Sequence, residues 1–140
     1  MSWFIFALLS AVFAALVSIL AKIGLKDLNS NLATAIRTTV VLVFTWGIVF
    51  AQGLSKEITN ITKTTWIFLI LSGIATGLSW LFYFRAIQIG EVSKVMPIDK
   101  MSIVIAIIFA ALFLGEKLSW SGILGTVLIS VGAILIAFAK

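Results

Sequence analysis

Four ionisable side chains stand inside strongly apolar runs of this sequence: Arg37, Arg85, Asp99 and Lys100. A charge held in such surroundings is expensive and marks a functional position by default. The chemistry open to these groups is binding. A guanidinium grips an anion through a planar fork of donors, and a carboxylate beside an amine holds a zwitterion or closes a gate. A row of hydroxyl and aromatic side chains, Ser72, Thr76, Ser79, Trp80 and Tyr83, recurs at three- and four-residue spacing and puts hydrogen-bonding groups along one side of a helix. Bond-breaking chemistry is poorly served. With no histidine, no cysteine and five scattered acids, the chain lacks an imidazole base, a thiolate, a paired-carboxylate constellation and soft metal ligands. It has no GxxxxGK[ST] phosphate loop either. The reading is not an enzyme, with no metal site, no cofactor and no ATP chemistry.

The elements that position these residues follow from composition. Of 140 residues 62% are hydrophobic and 11% charged, more apolar side chain than a small soluble core can hide, so the solvent is lipid. A hydrocarbon layer of about 30 Å takes about 20 helical residues, and five runs meet that length: 3–22, 32–52, 65–87, 95–114 and 120–139. Between them lie breaks with turn chemistry, at Gly24 to Asn31, Gly53 to Thr64, Ile89 to Lys94 and Gly115 to Ser119. The expectation is an all-α membrane protein of five transmembrane helices whose functional apparatus lies within or at the edge of the bilayer. The first run has no basic stretch before it and is followed by Lys22 where a cleavage motif of small residues would stand, so it reads as a helix and not a signal peptide. The net charge of +5 is spread singly over the ends of the apolar runs, which fits membrane-edge cations and not a nucleic-acid partner. Trp3, Trp66 and Trp120 fall at helix starts, where indole favours the headgroup level.

Helical spacing sorts the faces. The first helix carries Ala7, Ala11, Ala14, Ser18 and Lys22 along one stripe, and the fifth carries Gly122, Thr126, Ser130, Ala133 and Ala137; both read as close-packing surfaces. In the third helix Gly73 and Gly77 make a GxxxG pair beside the hydroxyl row, giving it a packing side and a polar side that faces a cavity or a neighbour. Pro97, the only proline, suits the first turn of the fourth helix, where its missing N–H costs nothing, and so need not break it. Asp99 then shares a stripe with Ser102, Ala106 and Ala110. Arg85 and Lys100 have the alternative of snorkelling to the headgroups on their long stems; Arg37 lies deeper and Asp99 is too short to do so. All four charges fall toward one membrane face, which permits a mixed cluster at one mouth of the bundle.

Orientation is weakly specified. Lys22, Lys26, Arg37, Arg85, Lys94, Lys100 and Lys140 belong to one face, and Lys56, Lys63 and Lys117 to the other. Omitting Arg37, Arg85 and Lys100, which lie within spans, leaves four against three, and the α-amino group evens the balance. Such a chain can insert both ways.

The stretch Phe84-Arg85-Ala86-Ile87-Gln88-Ile89-Gly90, then Val92 to Pro97, then Phe113-Leu114-Gly115-Glu116-Lys117-Leu118-Ser119 and the glycines 122, 125 and 132 resembles the second part of an EamA-type repeat of the drug/metabolite transporter superfamily. Residues 21–38 likewise resemble the first loop and second helix of its short, single-repeat members. The resemblance implies an integral, multi-pass protein of a prokaryotic cell membrane that is one half of an inverted-repeat transporter fold. Full-length members enclose a central cavity between two inverted five-helix repeats and work by alternating access. A single repeat implies an antiparallel homodimer or pairing with a related chain. The related small multidrug resistance proteins use a glutamate in the middle of their first helix; here that helix offers only Ser10 and Ser18, so the proton and cationic-drug mechanism does not transfer.

The function expected is a secondary transporter of a small organic metabolite, acting as a dimer. Ser72, Thr76, Ser79, Trp80 and Tyr83 would line the cavity, and Arg37, Arg85 and Asp99 would serve as polar handles or gates. With cations at the mouth and no acid near any midplane, a neutral, zwitterionic or anionic solute fits best. A flippase for a lipid-linked substrate and a non-transporting scaffold or partner subunit are the alternatives. The Asn60-Ile61-Thr62 sequon is read as chance.

Overall fold

The computed structural model describes residues 3–117 and 119–139. Leu118 of the Gly-Glu-Lys-Leu turn and Lys140 of the charge count lie outside the described residues. The elements are α1 (Trp3–Gly24), α2 (Ser30–Ala51), a 3-10 helix (Leu54–Asn60), α3 (Lys63–Ile89), α4 (Val92–Asp99), α5 (Ser102–Phe113) and α6 (Trp120–Phe138). Five stretches are long and apolar enough to cross a membrane, α4 and α5 together forming the fourth. The protein is an all-α membrane protein, and its spans fall on the five expected runs.

Local chemistry sets the ends. Asn29 caps α2, its Oδ1 accepting from the Asn31 N–H at 2.9 Å, and Ser119 caps α6, its Oγ accepting from the Gly122 N–H at 3.1 Å. Thr62, the last residue of the sequon, does the same for α3: its hydroxyl accepts from the Thr65 N–H at 3.2 Å and its carbonyl from the Trp66 N–H at 3.0 Å. Each side-chain oxygen satisfies a donor that the first helical turn leaves without a partner. Glycines in the left-handed region follow two helix ends, Gly53 after α2 (φ 71°) and Gly115 after α5 (φ 67°). Gly115 lets the Glu116 N–H return to the Ala110 carbonyl at 3.2 Å.

Two compact units divide the chain. In the unit made of residues 1–22 and 89–140, α6 runs close against α4. Small residues permit that approach: Thr126 and Ser130 are half-buried and Ala133 is buried, so the stripe expected on this helix is its packing face. The stripe on α1 is graded, from exposed Ala7 and Ala11 to buried Ser18, and Lys22 Nζ donates to the Gly90 carbonyl at 2.8 Å. Pro97 departs from expectation. The helix begins at Val92, so Pro97 is its sixth residue and lies inside it. There its ring crowds the carbonyl four residues back and supplies no N–H to it. The span breaks just beyond: Met101 N–H bonds the Ile98 carbonyl at 2.9 Å and Ile103 N–H the Lys100 carbonyl at 3.0 Å, three-residue spacings that tighten the backbone before α5 resumes.

In the unit of residues 23–88, the connection expected between the second and third spans is partly ordered as the 3-10 helix, which folds back onto α2. Among the described residues the buried apolar side chains are Ala21, Leu25, Ala33, Phe84, Ile87 and Ala133, and most large apolar residues of every span are exposed. A helix closes its own backbone hydrogen bonds, so it tolerates hydrocarbon on such faces. Nothing lies within 4 Å of a Cβ built on Gly73 or Gly77: the GxxxG side of α3 is open.

Gly115→Ala is expected to lower stability by about 1 kcal/mol, because a Cβ in the left-handed region is strained even where space is free. Gly47→Ala, in the interior of α2 with equally open space, is expected to be neutral or to gain up to about 1 kcal/mol. Thermal unfolding of both variants in detergent, followed by circular dichroism, checks this; equal melting temperatures would refute the role given to Gly115.

Candidate functional site

The hydroxyl row belongs to α3, whose 27 residues rise about 40 Å at 1.5 Å each, longer than the hydrocarbon layer. Ser72, Thr76 and Ser79 are exposed, while Trp80 and Tyr83 are half-buried. The Thr76 hydroxyl donates back to the Ser72 carbonyl at 2.9 Å, which satisfies its hydrogen and leaves the oxygen able to accept. The row therefore grades from an uncovered serine and threonine stretch to an aromatic end.

Arg37 arrives at that aromatic end. It lies seven residues into α2 from Ser30, about 10 Å of helical rise, and its guanidinium carbon sits 4.3 Å from the centroid of the Phe84 ring. Phe84 is 1% exposed and meets Tyr83 edge-on at 5.5 Å and 64°. The aromatic shelf is thus held rigidly before the cation is laid on it. Arg37 Nε is buried and has no hydrogen-bond partner among the described residues. Neither ion pair among those residues includes Arg37. A cation over a ring contributes about 0.5–2 kcal/mol, whereas an arginine at a bilayer centre costs about 2.5–3.5 kcal/mol or more. Even after the reduction that its shallower depth brings, the ring does not supply what an anion would. A carboxylate or phosphate oxygen is the natural complement to this group.

Arg85 has a different occupation. Its Nη1 donates to Gln88 Oε1 at 2.8 Å, and Gln88 Nε2 donates to the Leu25 and Leu28 carbonyls at 3.1 and 2.6 Å. Arg85 orients the amide, and the amide ties the α1–α2 connection to the end of α3. Asp99 belongs to the other unit, at the last turn of α4, half-buried, with its Oδ2 3.4 Å from Lys100 Nζ. That pair is between sequence neighbours and partly exposed, so it contributes at most about 1 kcal/mol.

Within residues 23–88, then, Arg37 and the Tyr83 end of the row come together. Two residues that sequence reasoning did not single out complete the arrangement. Phe84 is the shelf and Gln88 the tie; both lie in the Phe84-to-Gly90 stretch that carried the family resemblance. That stretch was the available signal, since neither residue type stands out from its neighbours by charge or spacing. Chemically the arrangement offers a cation on an aromatic plane, a phenol edge-on to that plane, and hydroxyls along the same helix as the ring.

The model of the EamA-like transporter family matches residues 1–138. A protein of Sinorhizobium sp named "Uncharacterized transporter in cobO 3'region" is 51% identical over 136 residues, covering 97% of this chain and 96% of that protein. No solved structure matches the chain.

Gln88→Leu removes both bonds to the α1–α2 connection, and at about 1 kcal/mol for each bond it is expected to speed amide hydrogen exchange across residues 25–29 by about tenfold or more. Arg85→Leu is expected to have a smaller effect in the same segment. Exchange followed by mass spectrometry reads both, and unchanged protection in Gln88→Leu would remove the tie.

Proposed function

The chain belongs to the EamA-like transporter family and is an integral, multi-pass membrane transporter; from that premise we propose that it is a secondary transporter of a small organic metabolite, working by alternating access as a dimer. The observation that carries the substrate reading is Arg37, a cation inside a span, laid on Phe84 with a buried Nε that has no hydrogen-bond partner among the described residues. It supports a solute with a carboxylate or phosphate group, anionic or zwitterionic, in preference to a neutral one. The hydroxyls of Ser72, Thr76 and Ser79, with Trp80 and Tyr83, would hydrogen-bond the remainder of the solute. Arg85 would act at the rim by holding the α1–α2 connection through Gln88, and Asp99 would serve as a polar handle or gate.

The dimer reading draws support from α3. Its hydroxyl side is exposed and its Gly73–Gly77 side is open. A hydroxyl costs roughly 1–3 kcal/mol to leave facing hydrocarbon without a partner, and a GxxxG pair lets a second helix approach closely. One five-helix repeat would then be half of an inverted-repeat transporter, completed by an oppositely inserted copy or a related chain.

In proteoliposomes, the protein is expected to support counterflow of at least one class of small organic acid or amino acid. Arg37→Gln should reduce the rate by about tenfold or more and Arg37→Lys by less, since the charge stays while the planar fork is lost. Folded protein that accumulates and exchanges no metabolite would overturn the proposal. Because the chain has no cysteine, a single Gln52→Cys, at an exposed neutral position, reports orientation cleanly. Labelling by an impermeant maleimide from both sides of the membrane is expected for an antiparallel homodimer; labelling from one side alone would exclude that form and require a parallel assembly or a related chain as the partner.

A further inference from the structure

At the far end of α2 from Arg37 lies a pocket that the transport reading does not use. The chain leaves α2 at Ala51, turns through left-handed Gly53 and returns as the 3-10 helix Leu54–Asn60 against the last turns of α2. The fold leaves an open pocket of about 640 Å³ bordered by Trp46 and Val49 on α2 and Leu54, Glu57, Ile58, Asn60 and Ile61 on the returning segment. Its volume lies within the roughly 300–1,000 Å³ usual for small-ligand sites.

Three independent sources of negative potential meet at this pocket. Glu57 supplies a carboxylate, and neither ion pair among the described residues includes it. Trp46 supplies an indole face, the strongest of the side-chain π systems for a cation, steadied by Phe50 at 5.6 Å. The end of α2 supplies the negative pole of a 22-residue helix. The other lining residues are apolar apart from the amide of Asn60. A small organic cation with an apolar shoulder satisfies all of these at once. The pocket closes the end of a span, so it stands where lipid headgroups begin. Lys56 precedes Glu57 and Lys63 opens α3, placing cations in sequence on either side of the pocket for a neighbouring phosphate.

We propose that this pocket binds an ammonium group, presented by the headgroup of a zwitterionic phospholipid, with Glu57 and Trp46 as its recognition residues. The site lies about 13 Å of helical rise from Arg37 along α2, from residue 37 to residue 46, and is separate from the solute site proposed above. The prediction runs against the charge of the whole chain: a net +5 by itself favours an anionic lipid, so preference for a zwitterionic headgroup requires a local device.

The test uses the full chain in neutral detergent, titrated with phosphatidylethanolamine or phosphatidylglycerol of identical acyl chains and read by native mass spectrometry, with free ethanolamine followed by calorimetry. Wild type is expected to hold phosphatidylethanolamine at least about fivefold more tightly than phosphatidylglycerol. Glu57→Gln and Trp46→Leu should each reduce that ratio below about twofold with an unchanged helical spectrum. Trp46→Leu leaves every charge in place, so its loss of preference cannot come from the altered net charge that accompanies Glu57→Gln. Binding of free ethanolamine to wild type and not to Glu57→Gln, without a lipid preference, would keep the ammonium site and assign it to a soluble amine. Equal binding of the two lipids with no ethanolamine binding, or binding indifferent to both substitutions, overturns the proposal.

Discussion

Every feature of this protein answers to one constraint: the chain has far more apolar surface than it can bury against itself, and few of its large apolar residues are hidden. In hydrocarbon an unsatisfied peptide group costs several kcal/mol, so each segment must complete its own hydrogen bonds before it can contribute to anything else. The caps at Asn29, Thr62 and Ser119 and the left-handed glycines 53 and 115 are the devices by which it does so. Function is left to the few polar side chains that remain.

Under that constraint a cation inside a span has few ways to be held. Arg37 uses an aromatic plane rather than a carboxylate, and the proposed substrate class rests on that difference. A fixed carboxylate would neutralise the guanidinium and compete with any anion. The Phe84 face steadies the cation while leaving its charge uncompensated. The tie from Arg85 through Gln88 to the Leu25 and Leu28 carbonyls acts beside it, at the same end of α3, and fixes the short connection from which α2 sets out. Two cations therefore meet the chain around Phe84, Arg85 as its sequence neighbour and Arg37 from α2, separated by what each side chain touches.

The two ends of α2 carry opposite chemistry. Near its start a guanidinium lies over Phe84; near its end an indole and a carboxylate border a pocket. The helix dipole runs in the sense that assists an anion at the first end and a cation at the second. Pro97 belongs to the same economy of polar groups. Set inside α4 and not at its start, it is followed by a tightened joint at Lys100 and Met101, a discontinuity that hydrocarbon alone would penalise and that the close packing of α4 on α6 accompanies.

The sequence alone determined the membrane, the five spans and the breaks between them, because these depend on run length, composition and turn chemistry local to the chain. It also held the family resemblance, including the Phe84-to-Gly90 stretch. It placed Arg37 deeper in its span than Arg85, but it did not show what either side chain touches: the Phe84 ring for Arg37 and the Gln88 amide for Arg85.

 Both contacts join distant parts of the chain: Gln88, which Arg85 orients, reaches Leu25 across 63 residues, and Arg37 meets Phe84 from a different helix. Tertiary structure also decided the pocket at the end of α2, because Trp46 and Glu57 become neighbours only when Gly53 turns the chain back. Contacts between segments depend on where the chain returns in space, and hydrophobic periodicity, which records one helix at a time, carries no term for that.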